Sequence, residues 1–221
     1  MYIHIFARSI QTLNINIMKK TTLVFIAIAF MGTVLTGFIN KKTDAPEWKI
    51  DPVHSSVTFM ATHLGTPFVG NFGKFDGVLK FDPADLTNSS ATFTIDVNSI
   101  NTNIEKRDGH LKSAEFFDAE KYPAMTFKSE KIIKKIPGND KEFIVMGSLT
   151  AKDVTKKIEV PLTITANGPH PFNKEMLMLG MKTAFKIVRS EYHIGSGDWA
   201  STAVVGDDVA VSVFAEFSRR K

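Results

Sequence analysis

The chain has 221 residues and a formal charge of +4, with 27 Lys and Arg against 23 Asp and Glu and no cysteine. Without thiols it has no disulfide framework, no thiolate nucleophile, no Cys-ligated zinc and no acceptor for an N-terminal lipid. Residues 1–40 hold Arg8, Lys19 and Lys20 and no acid, so the rest carries 24 basic against 23 acidic residues and offers no basic field for nucleic acid.

Met18-Lys19-Lys20 precedes an uncharged, mostly apolar run over residues 23–39. That order is expected of a secretory signal, so residues 18–40 are read as a signal peptide. An uncleaved membrane anchor is the alternative, although the run falls slightly short of the roughly 20 apolar residues that span a bilayer. Residues 1–17 do not fit in front of such a signal, and we read them as an upstream extension from a start codon assigned too early. Residues 41–47, polar and containing Pro46, suit a linker, which leaves residues 48–221 as the folded part.

From Trp48 onward a period of two dominates. A short strand at residues 48–50 is followed by Val57, Phe59 and Ala61; Phe75, Gly77, Leu79 and Phe81; and Ala91, Phe93, Ile95 and Val97. Between residues 101 and 122 the alternation stops, and the spacing of Leu111, Phe116 and Phe117 suits one or two short helices. Alternation resumes with Met125 and Phe127; Phe143, Val145, Gly147 and Leu149; Ile158 through Ala166; Met181 through Ile187; and Val209 through Phe217. Turns are expected at Asp82-Pro83-Ala84-Asp85, Pro137-Gly138-Asn139-Asp140 and Asn167-Gly168-Pro169. The pattern is all-β and antiparallel, eight strands apart from the short one. Long strands with short connections favour a barrel over a sandwich, and eight strands enclose a space just wide enough to be filled by side chains or to hold one small ligand. Alternation does not choose between those two interiors.

Ordered motifs carry a resemblance. Ile50-Asp51-Pro52-Val53-His54-Ser55-Ser56-Val57-Thr58-Phe59, His63-Leu64-Gly65 and Gly70-Asn71-Phe72-Gly73-Lys74-Phe75-Asp76-Gly77 resemble the opening of the YceI-like family of polyisoprenoid-binding proteins. Ile95-Asp96-Val97-Asn98-Ser99-Ile100-Asn101-Thr102 follows, then the most distinctive stretch, Arg107-Asp108-Gly109-His110-Leu111-Lys112-Ser113-Ala114-Glu115-Phe116-Phe117-Asp118. Tyr122-Pro123-Ala124-Met125-Thr126-Phe127, Gly147-Ser148-Leu149-Thr150 and Val205-Gly206-Asp207-Asp208-Val209 complete it. The resemblance implies an eight-stranded antiparallel lipocalin-like barrel, exported to a bacterial periplasm, with an apolar tunnel for a long isoprenoid or other lipid chain. It also raises a homodimer, which the residues themselves do not support. One departure is Ala151-Lys152-Asp153-Val154-Thr155, where the family often has Gly; Asp tolerates a left-handed turn position. The Met-rich run of residues 176–181 suits either a tunnel mouth or an ordinary strand start with core Met.

Strand phase aims Phe59, Phe75, Leu79, Phe93, Ile95 and Phe127 inward, and likewise Val145, Leu149, Leu162, Phe185, Val211 and Val213. These are the candidate lipid contacts, with plain core packing the competing reading for each. His54, Arg107 and His110 are candidate headgroup contacts, since Arg and His make charge-assisted hydrogen bonds to phosphate, carboxylate or carbonyl oxygen. Against that, the favoured reading of Arg107 and Asp108 is that they cap or pin a short helix. A hydrolase or isomerase using His54, Asp108 and His110 is the weaker alternative, because no G-x-S-x-G elbow accompanies Ser55. The histidines are scattered without H-E-x-x-H, so no metal is expected, and the only ligand called for is the lipid itself. Gly195-Ser196-Gly197-Asp198-Trp199-Ala200 matches G-x-G-x-x-A outside any βαβ unit, a chance match. Lys131, Lys134 and Lys135 form a basic patch, read as a solvated strand end or a transient contact to an anionic membrane. A non-enzymatic interaction or stress-response module with a filled barrel is the alternative to lipid carriage, storage or sequestration.

Overall fold

The structure, a computed structural model, describes residues 44–221. The upstream extension, the signal and residues 41–43 of the linker lie outside the described residues. Strand β1 (Glu47–His63) is followed by β2 (Thr66–Phe72), β3 (Phe75–Lys80), β4 (Ser90–Asp96) and β5 (Ile100–Asn101). Helix α1 (Glu105–Lys112) then leads to β6 (Ala124–Lys134), β7 (Glu142–Ala151), β8 (Val154–Pro169), β9 (Met176–Val188) and β10 (Asp208–Arg220).

Every strand pairs antiparallel with its neighbours, and β10 returns to β1, so the sheet closes. Closure leaves the ring no free edge, the outcome expected where each strand has one apolar face to bury. The ring has eight staves, because β2 and β3 share one position and β4 and β5 another: β2 pairs with residues 57–63 of β1 and with β5, and β3 with residues 47–49 of β1 and with β4. The eight-stranded antiparallel barrel expected from the sequence is the fold observed. Two strands were not anticipated, β2 and the two-residue β5. In β2 the apolar period of Phe68, Gly70 and Phe72 is broken at the surface by Pro67 and Val69, which hides it from pattern reading.

Three further expectations are corrected. The short strand at residues 48–50 and the one containing Val57 are a single β1, interrupted where residues 52–55 bulge outward between Asp51, opposite Glu216, and Ser56, opposite Phe214. Asn167-Gly168-Pro169 is not a turn but the end of β8, with Gly168 opposite Met178 and Pro169 opposite Leu177. Pro is tolerated there because a terminal residue need not donate to the ladder, and the chain reverses at residues 170–175, where His170 N–H donates to the Met176 carbonyl at 3.0 Å. In the β7–β8 turn the left-handed residue is Lys152, with φ 53°, and not Asp153.

Inside, two apolar clusters divide the barrel along its length. Trp48, Leu79, Phe81, Phe143, Leu179 and Phe217 centre the first, which is packed solid. Phe81 and Phe143 meet edge to face at 5.3 Å, and the buried Trp48 Nε1 donates to the Phe81 carbonyl at 2.9 Å. Phe93 lies over Gly77, its partner across β3 and β4, where an added Cβ would come within 2.4 Å of the ring. Val57, Phe72, Val97, Phe116, Ile194 and Val205 belong to the second cluster. Single strands pass from one to the other: β1 gives Trp48 to the first and Val57 to the second, and β7 gives Phe143 and then Ala151. The Met-rich start of β9 belongs to the closed end, where Leu179 and Met181 are buried. Leu177, Leu179 and Met181 carry that run's inward phase, so it is a core strand start and not a tunnel mouth.

Candidate functional site

The second half of the barrel contains a cavity of about 850 Å³. Its walls come from β1 and β2 (Phe59, Phe68, Phe72), from β4 and β7 (Ile95, Leu149), and from β9 and β10 (Phe185, Ile187, Val211). Helix α1 and the segment after it add Leu111, Phe116 and Phe117; the connection from β9 to β10 adds Arg189, Ile194, Trp199 and Val205. Among the lining residues Lys106, Arg107, Arg189, His63 and His110 can carry positive charge, and none is Asp or Glu.

Of the residues aimed inward by strand phase, Phe59, Ile95, Leu149, Phe185 and Val211 line this cavity. Phe75 packs against the second cluster without lining the space, and Val213 packs against both clusters. Leu79, Phe93, Phe127, Val145 and Leu162 face inward too, but into the closed half. Phase alone does not tell the two groups apart, because it fixes which face of a strand points in and not how high along the barrel the residue sits.

Arg107 and Asp108 share a partner. Arg107 Nε donates to Thr102 Oγ1 at 2.8 Å and Nη2 to the Thr102 carbonyl at 2.9 Å, while the Asp108 carboxylate accepts the Thr102 N–H at 2.8 Å. The Arg107 guanidinium also stacks on Phe68, 4.4 Å from the ring centroid, so it joins α1 to β2 across the cavity wall. His110 bonds Glu115 at 2.6 Å through Nε2 and meets the rings of Phe116 and Trp199 edge on, at 4.9 and 4.7 Å. Glu115 in turn accepts Ser196 N–H through its carbonyl at 2.8 Å, tying α1 to the β9–β10 connection.

His54 is elsewhere. It sits on the exposed bulge of β1 and bonds Asp51 through Nδ1 at 2.9 Å, so it is not a wall of the cavity. The physical reason is the bulge itself, which throws residues 52–55 outward and breaks the strand phase. The Asp51 bond raises the imidazole above its ordinary range and holds the carboxyl below its own. Asp51, His54 and Glu216 each bring a ligand atom within 4.8 Å of the others, and a cation there would have to displace the Asp51–His54 bond. Ser55 Oγ accepts Glu216 N–H at 2.9 Å. His54, Asp108 and His110 therefore answer to three separate partners, and the structure does not assemble them into a catalytic group.

Arg189 is the functional-site residue that the sequence reading missed. It is 2% exposed, and its three nitrogens donate to the carbonyls of Gly206 (3.1 Å), Ile194 (2.7 Å) and Val205 (2.6 Å). Burial lowers the guanidinium pKa, and Asp207 acts in the opposite sense. A signal was present: Phe185 and Ile187 hold the inward phase of β9, and Arg189 is the next residue in that phase. Gly195, at φ 89°, makes room for it, since a Cβ there would lie 2.2 Å from Nη1.

Residues 48–217 match the YceI-like domain family. The chain belongs to that family. A UPF0312 protein of Vibrio cholerae is 35% identical to this YceI-like chain over 158 residues, 70% of this chain and 79% of its own length. Among solved structures, BcnA of Burkholderia cenocepacia superposes with a TM-score of 0.68 at 30% identity, covering 76% of this chain and 98% of BcnA. A domain of Saccharophagus degradans described as polyisoprenoid-binding gives a TM-score of 0.55 over 77% of this chain and 97% of its own; at 15% identity that likeness is one of fold. Among the described residues, this YceI-like barrel offers a partly open apolar space with basic groups in its lining and no assembled nucleophile, acid and base.

Proposed function

We propose that this YceI-like protein is an exported lipid-binding protein that holds a polyisoprenoid-like or other long apolar chain in the open half of its barrel, for carriage, storage or sequestration. The observation that carries the reading is the cavity of about 850 Å³, walled by Phe, Leu, Ile and Val side chains and without a carboxylate. That volume lies within the range of single-ligand sites, roughly 300–1,000 Å³. Each methylene moved from water into such a space contributes about 0.8 kcal/mol, so an apolar chain needs no catalytic group to be retained. The polyisoprenoid-binding description of the Saccharophagus domain, which shares the fold, supports the chain type. Export rests on the basic and then apolar order of residues 18–40.

The test is organic extraction of the purified protein followed by mass spectrometry, with reloading of the stripped protein by prenyl alcohols. A stoichiometric apolar molecule, or saturable uptake of one prenyl chain per barrel, is expected. Val211→Trp, which fills the cavity from β10, should abolish uptake while shifting Tm by only a few degrees, because the added ring enters open space. A clean extract with no uptake by the unsubstituted protein would overturn the reading.

A further inference from the structure

We propose that the mouth of the cavity is a docking surface for an anionic lipid bilayer, inserted through Leu64 and Ile104 and held by Lys106 and Arg107. The inference goes beyond the ligand reading, since it stands on the rim residues whether or not the barrel is loaded. Leu64 and Gly65 form the two-residue turn between β1 and β2, at φ 49° and 80°. Both positions lie in the left-handed region, where Asn, Asp and Gly are favoured, yet Leu64 occupies the first with 67% of its surface exposed. Ile104 is the N-cap of α1, extended at φ −136° and without a side-chain cap bond. Ser, Thr, Asp and Asn are the residues that stabilise this position, yet it carries an isoleucine 51% exposed. At two unrelated positions, then, local conformation asks for a small polar residue and the chain presents a large apolar one. Both residues line the same cavity.

The charge at the rim is complementary to lipid phosphate. Lys106 and Arg107 line the mouth beside Ile104, and neither has a carboxylate partner among the described ion pairs. Of the acids on α1, with Glu115 just beyond it, Asp108 is committed to Thr102 and Glu115 to His110, leaving Glu105 in the first turn. Other exposed apolar side chains do not line the cavity: Phe172 stands in the β8–β9 turn at the closed end, Val53 on the β1 bulge, and Ile133 and Ile136, although beside Lys131, Lys134 and Lys135, around the β6–β7 turn. Exposed apolar residues beside Lys and Arg are the composition by which proteins seat at a bilayer interface. Seated that way, the mouth would open into the acyl layer, and an apolar chain could pass between membrane and barrel without crossing water.

The absence of cysteine makes the test direct, because a single introduced Cys is the only labelling point. In the full chain, Thr66→Cys places a polarity-sensitive fluorophore beside the β1–β2 turn, and Lys135→Cys places one in the β6–β7 turn at the closed end. Adding phosphatidylglycerol vesicles should blue-shift the probe at position 66, less so with pure phosphatidylcholine or at high salt, and leave the probe at position 135 in water. Leu64→Asn with Ile104→Ser, in the Thr66→Cys background, should weaken vesicle binding by about tenfold or more. The same pair should leave Tm unchanged or raise it, because Asn suits the turn and Ser the cap. Equal shifts at both probes, a silent probe at position 66, a shift at position 66 that needs only protein concentration and no vesicles, or unaltered binding by the double variant would each overturn the proposal. The leader is common to all forms, so anchoring through it alone would leave position 66 in water and count against docking.

Discussion

His54 and Asp51 show how one bond sets the behaviour of two exposed groups. Their contact at 2.9 Å raises the imidazole above its ordinary value of 6.5, mainly through the Asp51 hydrogen bond, and lowers the Asp51 carboxyl, mainly through the same bond. A raised histidine stabilises the fold fully below its unfolded pKa and loses that contribution as pH rises through the folded value. A depressed aspartate contributes above its unfolded pKa and loses it as pH falls through the folded value. The pair therefore supports the bulge between the two losses, from mildly acid pH up to the raised imidazole pKa. Because both groups meet water, the effect on global stability is small, and the direct readout is the titration itself. Proton NMR should place the His54 midpoint above 6.5, and Asp51→Asn should return it toward that value; a midpoint unchanged by the substitution would show that the bond does not form in solution.

At the scale of elements, the decisive segment is the connection from β9 to β10. It has no sheet partner to satisfy its backbone apart from the bridge of Val205 to His63, and Arg189 takes that role by binding three of the carbonyls around it. Arg189→Met should cost about 3–5 kcal/mol, because it leaves those buried carbonyls without donors. Arg189→Lys should recover only part of that, since an ammonium cannot reach three carbonyls spread around a planar fork. Denaturant unfolding of both variants measures this, and equal stability of Met and Lys forms would refute it. This connection also marks where sequence reading ran out. Period-two alternation made the eight staves of the barrel legible, because each strand buries one face. It said nothing of residues 189–207, whose order comes from one side chain bonding to distant carbonyls, nor of β2, whose period is masked by Pro67 and Val69. The bulge in β1 misplaced His54 for a related reason: residues 52–55 stand opposite Ala215 alone, and the three extra residues, an odd number, reverse the phase on which inward and outward are judged.

Over the whole molecule, the barrel separates stability from ligand space along its axis. With no cysteine, the fold rests on apolar packing, and the dense packing is at one end, where Leu79 is 2% exposed and Phe143 and Phe217 are fully buried. The other end leaves about 850 Å³ unfilled, so its wall residues already lack neighbours on one side. The same substitution should then have different costs at the two ends. Leu79→Ala removes atoms from a filled interior and creates a new cavity, a change of about 2–5 kcal/mol. Leu149→Ala trims a wall that already borders open space, so most of the cavity cost is absent and the loss should stay below about 1.5 kcal/mol. For prenyl alcohol uptake the order reverses: Leu149→Ala alters affinity by changing the surface that meets the chain, and Leu79→Ala leaves it intact as long as the barrel is folded. Denaturant unfolding and ligand titration on the two variants separate these effects. Equal destabilisation by both would mean that the open half also carries the fold, and that a ligand, when bound, is part of the core.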